Sequence, residues 1–191
     1  MKTFFIEDNN PGDSPEAWFF LPDSSLTNAG KPFFIPEFSS EIEARPVVLL
    51  KVNRLGKTIA PRFAGRYFSE VAFGVGFQAA DLRERLSLKG LPADRAYSFD
   101  RSLIVSEFLP KTEISPSDSP VMLKNGEKVS SVPADLSESS IGLTFKAVSA
   151  ENTLKMGDLI IPFVGKGTKV IIGDILELAT GAGTILRIEI R

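Results

Sequence analysis

The chain has no cysteine and no histidine. Without cysteine there is no disulfide, no thiolate nucleophile and no thiolate-bound metal. Without histidine the commonest general base and the commonest transition-metal ligand are both missing. Ser-His-Asp and Cys-His nucleophiles, the H-E-x-x-H zinc motif and the histidine facial triad are therefore excluded together. Any reaction chemistry is left to carboxylates, lysine, tyrosine, backbone dipoles or a hard, oxygen-bound cation such as Mg²⁺. An excess of one charge is also lacking: 22 Lys and Arg against 24 Asp and Glu leave a net charge of -2. That gives no electrostatic basis for binding nucleic acid or an anionic membrane. No apolar run approaches the roughly 18 residues of a membrane span. The opening Met1–Asp8 has one lysine and a brief apolar run before it turns acidic, unlike a secretory signal. A cytoplasmic protein with a small or proteinaceous partner is expected.

What is present suits one globular domain, since 191 residues bury a sizeable core but are too few for two ordinary domains. Residues 1–18, with Pro11, Gly12, Pro15 and scattered acids, read as a loose N-terminal arm, and residues 19–191 as the packed domain. Strand candidates lie at Phe33–Ile35, Val47–Val52, Val71–Phe77 and Leu103–Phe108, the second being an apolar run of the buried kind. A helix is signalled from about Ala79 to Lys89, with Asp81 and Glu84 early, Arg85 and Lys89 late, and Gly90 then Pro92 ending it. A shorter helical turn fits Pro61–Tyr67. Asn125-Gly126 between two apolar stretches marks a hairpin, because both central residues of its turn need positive φ. Residues 112–120 and 130–140, rich in Ser and Pro, read as surface loops. Further strands are expected at Leu143–Val148, Asp158–Val164, Lys169–Ile172, Ile175–Leu178 and Thr184–Ile190. The fold class is mainly β with one or two short helices, an α+β chain. Pro46 lacks a ladder donor, so the second strand is expected to begin only at Val47.

Two glycine-rich stretches invite a phosphate-binding reading that their spacing does not support. Gly165-Lys166-Gly167-Thr168 lacks the earlier glycine of a P-loop and the hydroxyl residue after its lysine. Gly181-Ala182-Gly183 lacks the third glycine and the helix of a dinucleotide loop. Both read as β-turns. In Glu41-Ile42-Glu43, an extended backbone puts both carboxylates on one face. That is either half of a divalent-metal site or the charged start of a surface strand.

Several stretches in order resemble the fumarylacetoacetate hydrolase family. Phe20-Leu21-Pro22-Asp23-Ser24-Ser25-Leu26 is similar to its F-x-K-P-x-s-s-l, and Lys31–Pro36 and Arg54-Leu55-Gly56-Lys57 occur in similar form in its shorter bacterial members. Val75–Pro92, ending Lys89-Gly90-Leu91-Pro92, resembles D-x-T-A-R-D-x-Q … K-G-L-P-W, and Ser98-Phe99-Asp100 resembles K-x-F-D. Thr153-Leu154-Lys155-Met156-Gly157-Asp158-Leu159-Ile160 resembles T-L-x-x-G-D-x-I, and Gly173-Asp174 the following G-D. The resemblance covers roughly residues 19–191 and implies a mixed β-roll, usually a homodimer. It also implies Mg²⁺ or Mn²⁺ held by an E-x-E strand and an Asp, where the cation polarises a 2-oxo acid or acylpyruvate.

At almost every functional position of that pattern this sequence differs. The E-x-E positions fall on Arg45 and Val47, the Asp on Gly76, and the T-A-R start on Gln78-Ala79-Ala80. The two motif lysines fall on Leu21 and Tyr97, and the T-G-T-P loop is replaced by residues around Pro162-Phe163-Val164. The resemblance thus implies a pocket of Leu21, Arg45, Val47, Gly76, Gln78, Tyr97, Phe163 and Lys166, with no catalytic residue, no metal ligand and no cofactor. The expectation is a pseudoenzyme that acts as a binding or structural subunit. It pairs with itself or with an active paralogue, and Arg45 grips a small carboxylate if it faces the pocket rather than Glu43 or solvent. The alternative is a Mg²⁺- or Mn²⁺-dependent hydrolase, decarboxylase or isomerase of acylpyruvates or 2-oxo acids with relocated ligands.

Overall fold

The computed structural model describes residues 1–7, 14–115 and 119–191. Strands β1 (Thr3–Ile6), β2 (Trp18–Leu21) and β3 (Leu26–Asn28) come first. Two long strands follow, β4 (Ile42–Val52) and β5 (Phe68–Ala79), then helix α1 (Ala80–Leu88) and the short strands β6 (Leu103–Val105) and β7 (Leu109–Pro110). The hairpin β8 (Val121–Lys124) and β9 (Glu127–Ser131) precedes helix α2 (Glu138–Glu151). The chain closes with β10 (Leu159–Val164), β11 (Thr168–Val170), β12 (Ile175–Thr180) and β13 (Gly183–Glu189). This is the mainly β, α+β class expected. No helix among the described residues is long and apolar enough to cross a membrane.

The larger sheet runs β2-β1-β10-β4-β5-β6-β3, with β11 also on β4 and β7 also on β5, while a smaller sheet runs β13-β12-β8-β9. Strands β4 and β5 form its antiparallel spine. From Val47 to Leu50 and from Val71 to Ala79 every residue is buried, which is why these runs are apolar rather than alternating. Pro46 does not interrupt β4, contrary to expectation. It stands opposite Val75 on one side, and its carbonyl accepts from Gly165 at 2.8 Å on the other. The N–H and C=O of a strand residue point the same way, so the missing donor faces the turn between β10 and β11, where no ladder needs it.

Further expectations are corrected. The arm over 1–18 is not loose throughout: Thr3–Ile6 is a buried strand, parallel to β10 and antiparallel to β2; Pro11 and Gly12 lie outside the described residues. Leu143–Val148 is not a strand but part of α2, whose Ile141, Phe145 and Val148 share one buried face. The loop expected over 130–140 holds for 132–137, between the end of β9 and the start of α2, and part of the loop over 112–120 lies outside the described residues. Phe33–Ile35 makes only a single bridge, Phe33 to Ile190. The hairpin turn is as expected, with Asn125 at φ 53° and Gly126 at φ 86°.

The two Gly-Asp pairs prove to be one structural device used twice. Gly157 and Gly173 take φ of 88° and 94°, a region that favours glycine. The following aspartate accepts the amide three residues back, Lys155 to Asp158 and Ile171 to Asp174, each at 2.9 Å. Asp158 also takes the Lys2 amide at 2.8 Å, tying β1 to the start of β10.

Asp81 fixes the start of α1. Its carboxylate accepts from the Ser39 hydroxyl (2.6 Å), the Ser40 amide (3.0 Å) and hydroxyl (3.1 Å), and the Leu82 amide (2.8 Å). Burial pushes its pKa up, but these hydrogen bonds together outweigh it and bring the value from 3.8 down to about 2. A depressed folded-state pKa stabilises the fold above the unfolded value and loses that contribution as pH falls through the folded one. Asp81→Ala is therefore expected to be less stable than the parent near pH 5, with the gap shrinking towards about pH 2. Urea unfolding across that range checks this, and a gap independent of pH would remove Asp81 as the cause.

Candidate functional site

The pairing of β4 with β5 sets Glu43 opposite Gln78, Arg45 opposite Gly76 and Val47 opposite Gly74. Alternation puts Glu43, Arg45 and Val47 on one face of β4. On that face lies a cavity of about 10 Å³ lined by Phe5, Leu21, Arg45, Gly76, Phe77, Gln78, Tyr97, Ser102 and Leu103. Its size is close to the room one water needs. Leu21, Arg45, Gly76, Gln78 and Tyr97, five of the expected positions, are thus brought together from β2, β4, β5 and the turn after Asp94–Ala96. Val47 stands just behind, fully buried, with its Cγ1 3.7 Å from where a Cβ on Gly76 would lie. Phe163 and Lys166 do not join them. Phe163 pairs with Val48, which points to the opposite face from Arg45 and Val47. Lys166 is exposed in the turn after β10, where its carbonyl accepts from the Ser130 hydroxyl at 2.8 Å.

Arg45 does two things at once. Its Nη2 donates to Glu43 Oε2 at 3.2 Å, while its Nε is buried without a protein partner. Gln78 Oε1 and Ser102 Oγ, from residues each 2 % exposed, are likewise buried and unpartnered. Three unpartnered polar atoms on residues that line one small space are unusual, because buried polar groups are nearly always satisfied. The turn at 165–167 lies directly on the Glu43–Arg45 pair: a Cβ on Gly167 would overlap the Glu43 carboxylate and stand 3.0 Å from Arg45 Nε. Glycine there is a matter of close approach.

The outer wall is aromatic. The Tyr97 ring lies 5.4 Å from Phe5 and 4.7 Å from Phe19, and those two rings stack at 4.9 Å. The Tyr97 hydroxyl donates to Glu7 Oε1 at 2.8 Å, and Arg83 donates to the same oxygen through Nη2 at 2.9 Å and Nε at 3.2 Å. Burial first, then the Glu7 carboxylate, push the Tyr97 pKa well above its usual range, so the phenol stays a donor. The hydrogen bond to Glu7 likewise raises that of Arg83.

These residues do not fit a divalent cation. Where the resemblance places three carboxylates there stand a guanidinium, an isopropyl group and a hydrogen, and Arg45 brings the wrong charge. Among the described residues, no group of three Asp, Glu, His or Cys side chains could hold a metal. The Glu41-Ile42-Glu43 pair is already engaged, Glu41 with Lys169 at 3.3 Å and Glu43 with Arg45.

Sequence reasoning missed Phe5, Glu7, Arg83 and Ser102. The apolar run Phe4-Phe5-Ile6 was the available signal for the first two, since it reads as a short buried strand. Arg83 and Ser102 carry no local signal; each acquires its place from a neighbour distant in sequence.

No protein-family model matches the chain. It is 30 % identical over 151 residues to the mitochondrial oxaloacetate tautomerase FAHD1 of Mus musculus, covering 78 % of this chain and 68 % of that protein. It is 27 % identical over 178 residues to the mitochondrial oxaloacetate tautomerase oaa1 of Schizosaccharomyces pombe, covering 88 % and 79 %. In shape it resembles the crystal structure of fumarylpyruvate hydrolase from Pseudomonas aeruginosa in complex with Mn²⁺ and pyruvate. The TM-score is 0.85 at 17 % identity, over 100 % of this chain and 89 % of that one, which is a likeness of fold.

Proposed function

Because the chain belongs to the fumarylacetoacetate hydrolase family, we propose that it keeps the family's frame without metal chemistry and serves as a non-catalytic binding or structural subunit. One observation supports this reading: Arg45 stands directly across from Gly76, so at these two facing positions neither strand offers a carboxylate to a cation. The remaining space, about 10 Å³, is too small for a 2-oxo acid as it stands. Its unpartnered Arg45 Nε, Gln78 Oε1 and Ser102 Oγ are groups that a small polar ligand would satisfy.

A second reading is favoured by the relatives, whose names are those of enzymes: oxaloacetate tautomerases and a fumarylpyruvate hydrolase. In it the chain is a Mg²⁺- or Mn²⁺-dependent enzyme of 2-oxo acids or acylpyruvates with relocated ligands. Glu43 would leave Arg45, and Gln78 Oε1, directly across the ladder, would supply a second oxygen.

Calorimetry of the metal-stripped protein with Mn²⁺, with and without oxalate, separates the two. The expected result is no binding up to millimolar Mn²⁺ by a protein that remains folded. Stoichiometric binding strengthened by oxalate would make the second reading the function.

A further inference from the structure

We infer that Arg83 and Tyr97 form a carboxylate-binding site at the cavity mouth, held by the chain's own Glu7 and open to a small free carboxylate that displaces it. This deepens the metal-free reading and rests on it.

Three donors converge on one oxygen, Glu7 Oε1, at 2.8, 2.9 and 3.2 Å. Two come from a single guanidinium edge, a fork that matches a carboxylate. The third is the hydroxyl of Tyr97, which is only 4 % exposed, and a buried phenol requires an acceptor. The phenol therefore needs an acceptor whether or not Glu7 supplies it, and the guanidinium beside it favours an anionic one. Glu7 is lightly held. It lies just past the end of β1, with its amide on the Ala17 carbonyl at 3.0 Å, and the Arg83–Glu7 pair has side-chain exposures of 43 % and 30 %. Ion pairs that open to water are weak. Tyr97 and Arg45 line the same small space, so a second cation stands beyond the tyrosine. Tyr97 thus joins the occupied mouth to the unsatisfied interior.

An intramolecular competitor lowers apparent affinity by the fraction of time it holds the site. If Glu7 holds it nine-tenths of the time, its removal tightens binding about tenfold. The test is an amide NMR titration with acetate in EDTA on the parent chain, Glu7→Ala, Glu7→Gln and the double variant Glu7→Ala/Arg83→Met. Glu7→Ala is expected to bind about tenfold more tightly than the parent, with shifts centred on residues 83 and 97, and the added Arg83→Met to abolish the gain. Glu7→Gln keeps a neutral acceptor for Tyr97 and covers the case in which the alanine variant does not fold. Equal affinities in the parent and the folded Glu7 variants, or a gain that survives Arg83→Met, overturn the site. Binding that requires Mn²⁺ in place of EDTA overturns the metal-free reading instead.

Discussion

The triple variant R45E/V47E/G76D is expected to bind Mn²⁺, and the parent chain is expected not to. Positions 45 and 76 face each other across the ladder, and directly opposed side chains start about 5 Å apart. Position 47 is the next residue on the same face of β4. A Cβ on Gly76 would meet only ordinary contacts, Val47 Cγ1 at 3.7 Å, Phe5 Cε2 at 3.8 Å and the Arg45 carbonyl at 4.0 Å, so the aspartate has room to start. Without metal the variant is expected to be less stable by about 3–5 kcal/mol, because three carboxylates are crowded and one replaces a fully buried valine. Mn²⁺ at about 100 times its Kd returns about 2.7 kcal/mol, a rise in Tm of about 5–10 °C for a chain of this size. A folded triple variant with no Mn²⁺-dependent rise would mean that the carboxylate positions lie elsewhere, and with them the case for an emptied site.

Adding a methyl group at Gly142 is expected to destabilise the fold although it favours the helix. Alanine is preferred to glycine inside a helix by about 1 kcal/mol, so propensity alone predicts that Gly142→Ala gains stability. The packing predicts the reverse. A Cβ on Gly142 would stand 2.9 Å from Pro61 Cβ, 3.0 Å from its carbonyl oxygen and 3.1 Å from its Cα, and neither a proline ring nor a backbone can swing aside. Gly142→Val should cost about 3 kcal/mol or more, lowering Tm by about 6–12 °C, with Gly142→Ala intermediate. Thermal unfolding of both variants decides it; a higher Tm for Gly142→Ala would mean that α2 does not press on the turn Pro61–Arg66.

Gly142 also shows why α2 was hidden in the sequence. Ile141, Phe145 and Val148 have helical spacing, but Thr144 and Val148 speak locally for a strand and a glycine speaks against a helix. The glycine is explained only by Pro61, some 80 residues earlier. Features whose cause is local were legible: the Asn125-Gly126 turn, the acid-to-base gradient of α1 with its closing Gly90, and the long apolar runs of β4 and β5. The candidate site was legible to the extent that β4 and β5 carry it, because one register fixes Arg45, Val47, Gly76 and Gln78 together. Its closure was not. Phe5 reaches the cavity, and Glu7 reaches Tyr97, only because β1 pairs with β10, and Phe163 leaves the cavity because a shift within β10 sets it opposite Val48.

The pairing of β1 with β10 bears on how the molecule is made. Thr3 pairs with Leu159, and the Lys2 amide waits for Asp158, 156 positions later. At the usual pace of synthesis, about 5–20 residues per second, the first strand remains without its central partner for roughly 8–30 s. During that time Phe4, Phe5 and Ile6, all buried at the end, are open to any other strand edge or to a chaperone. Misassembly during synthesis is therefore to be expected at β1, made long before its partner, rather than at β10.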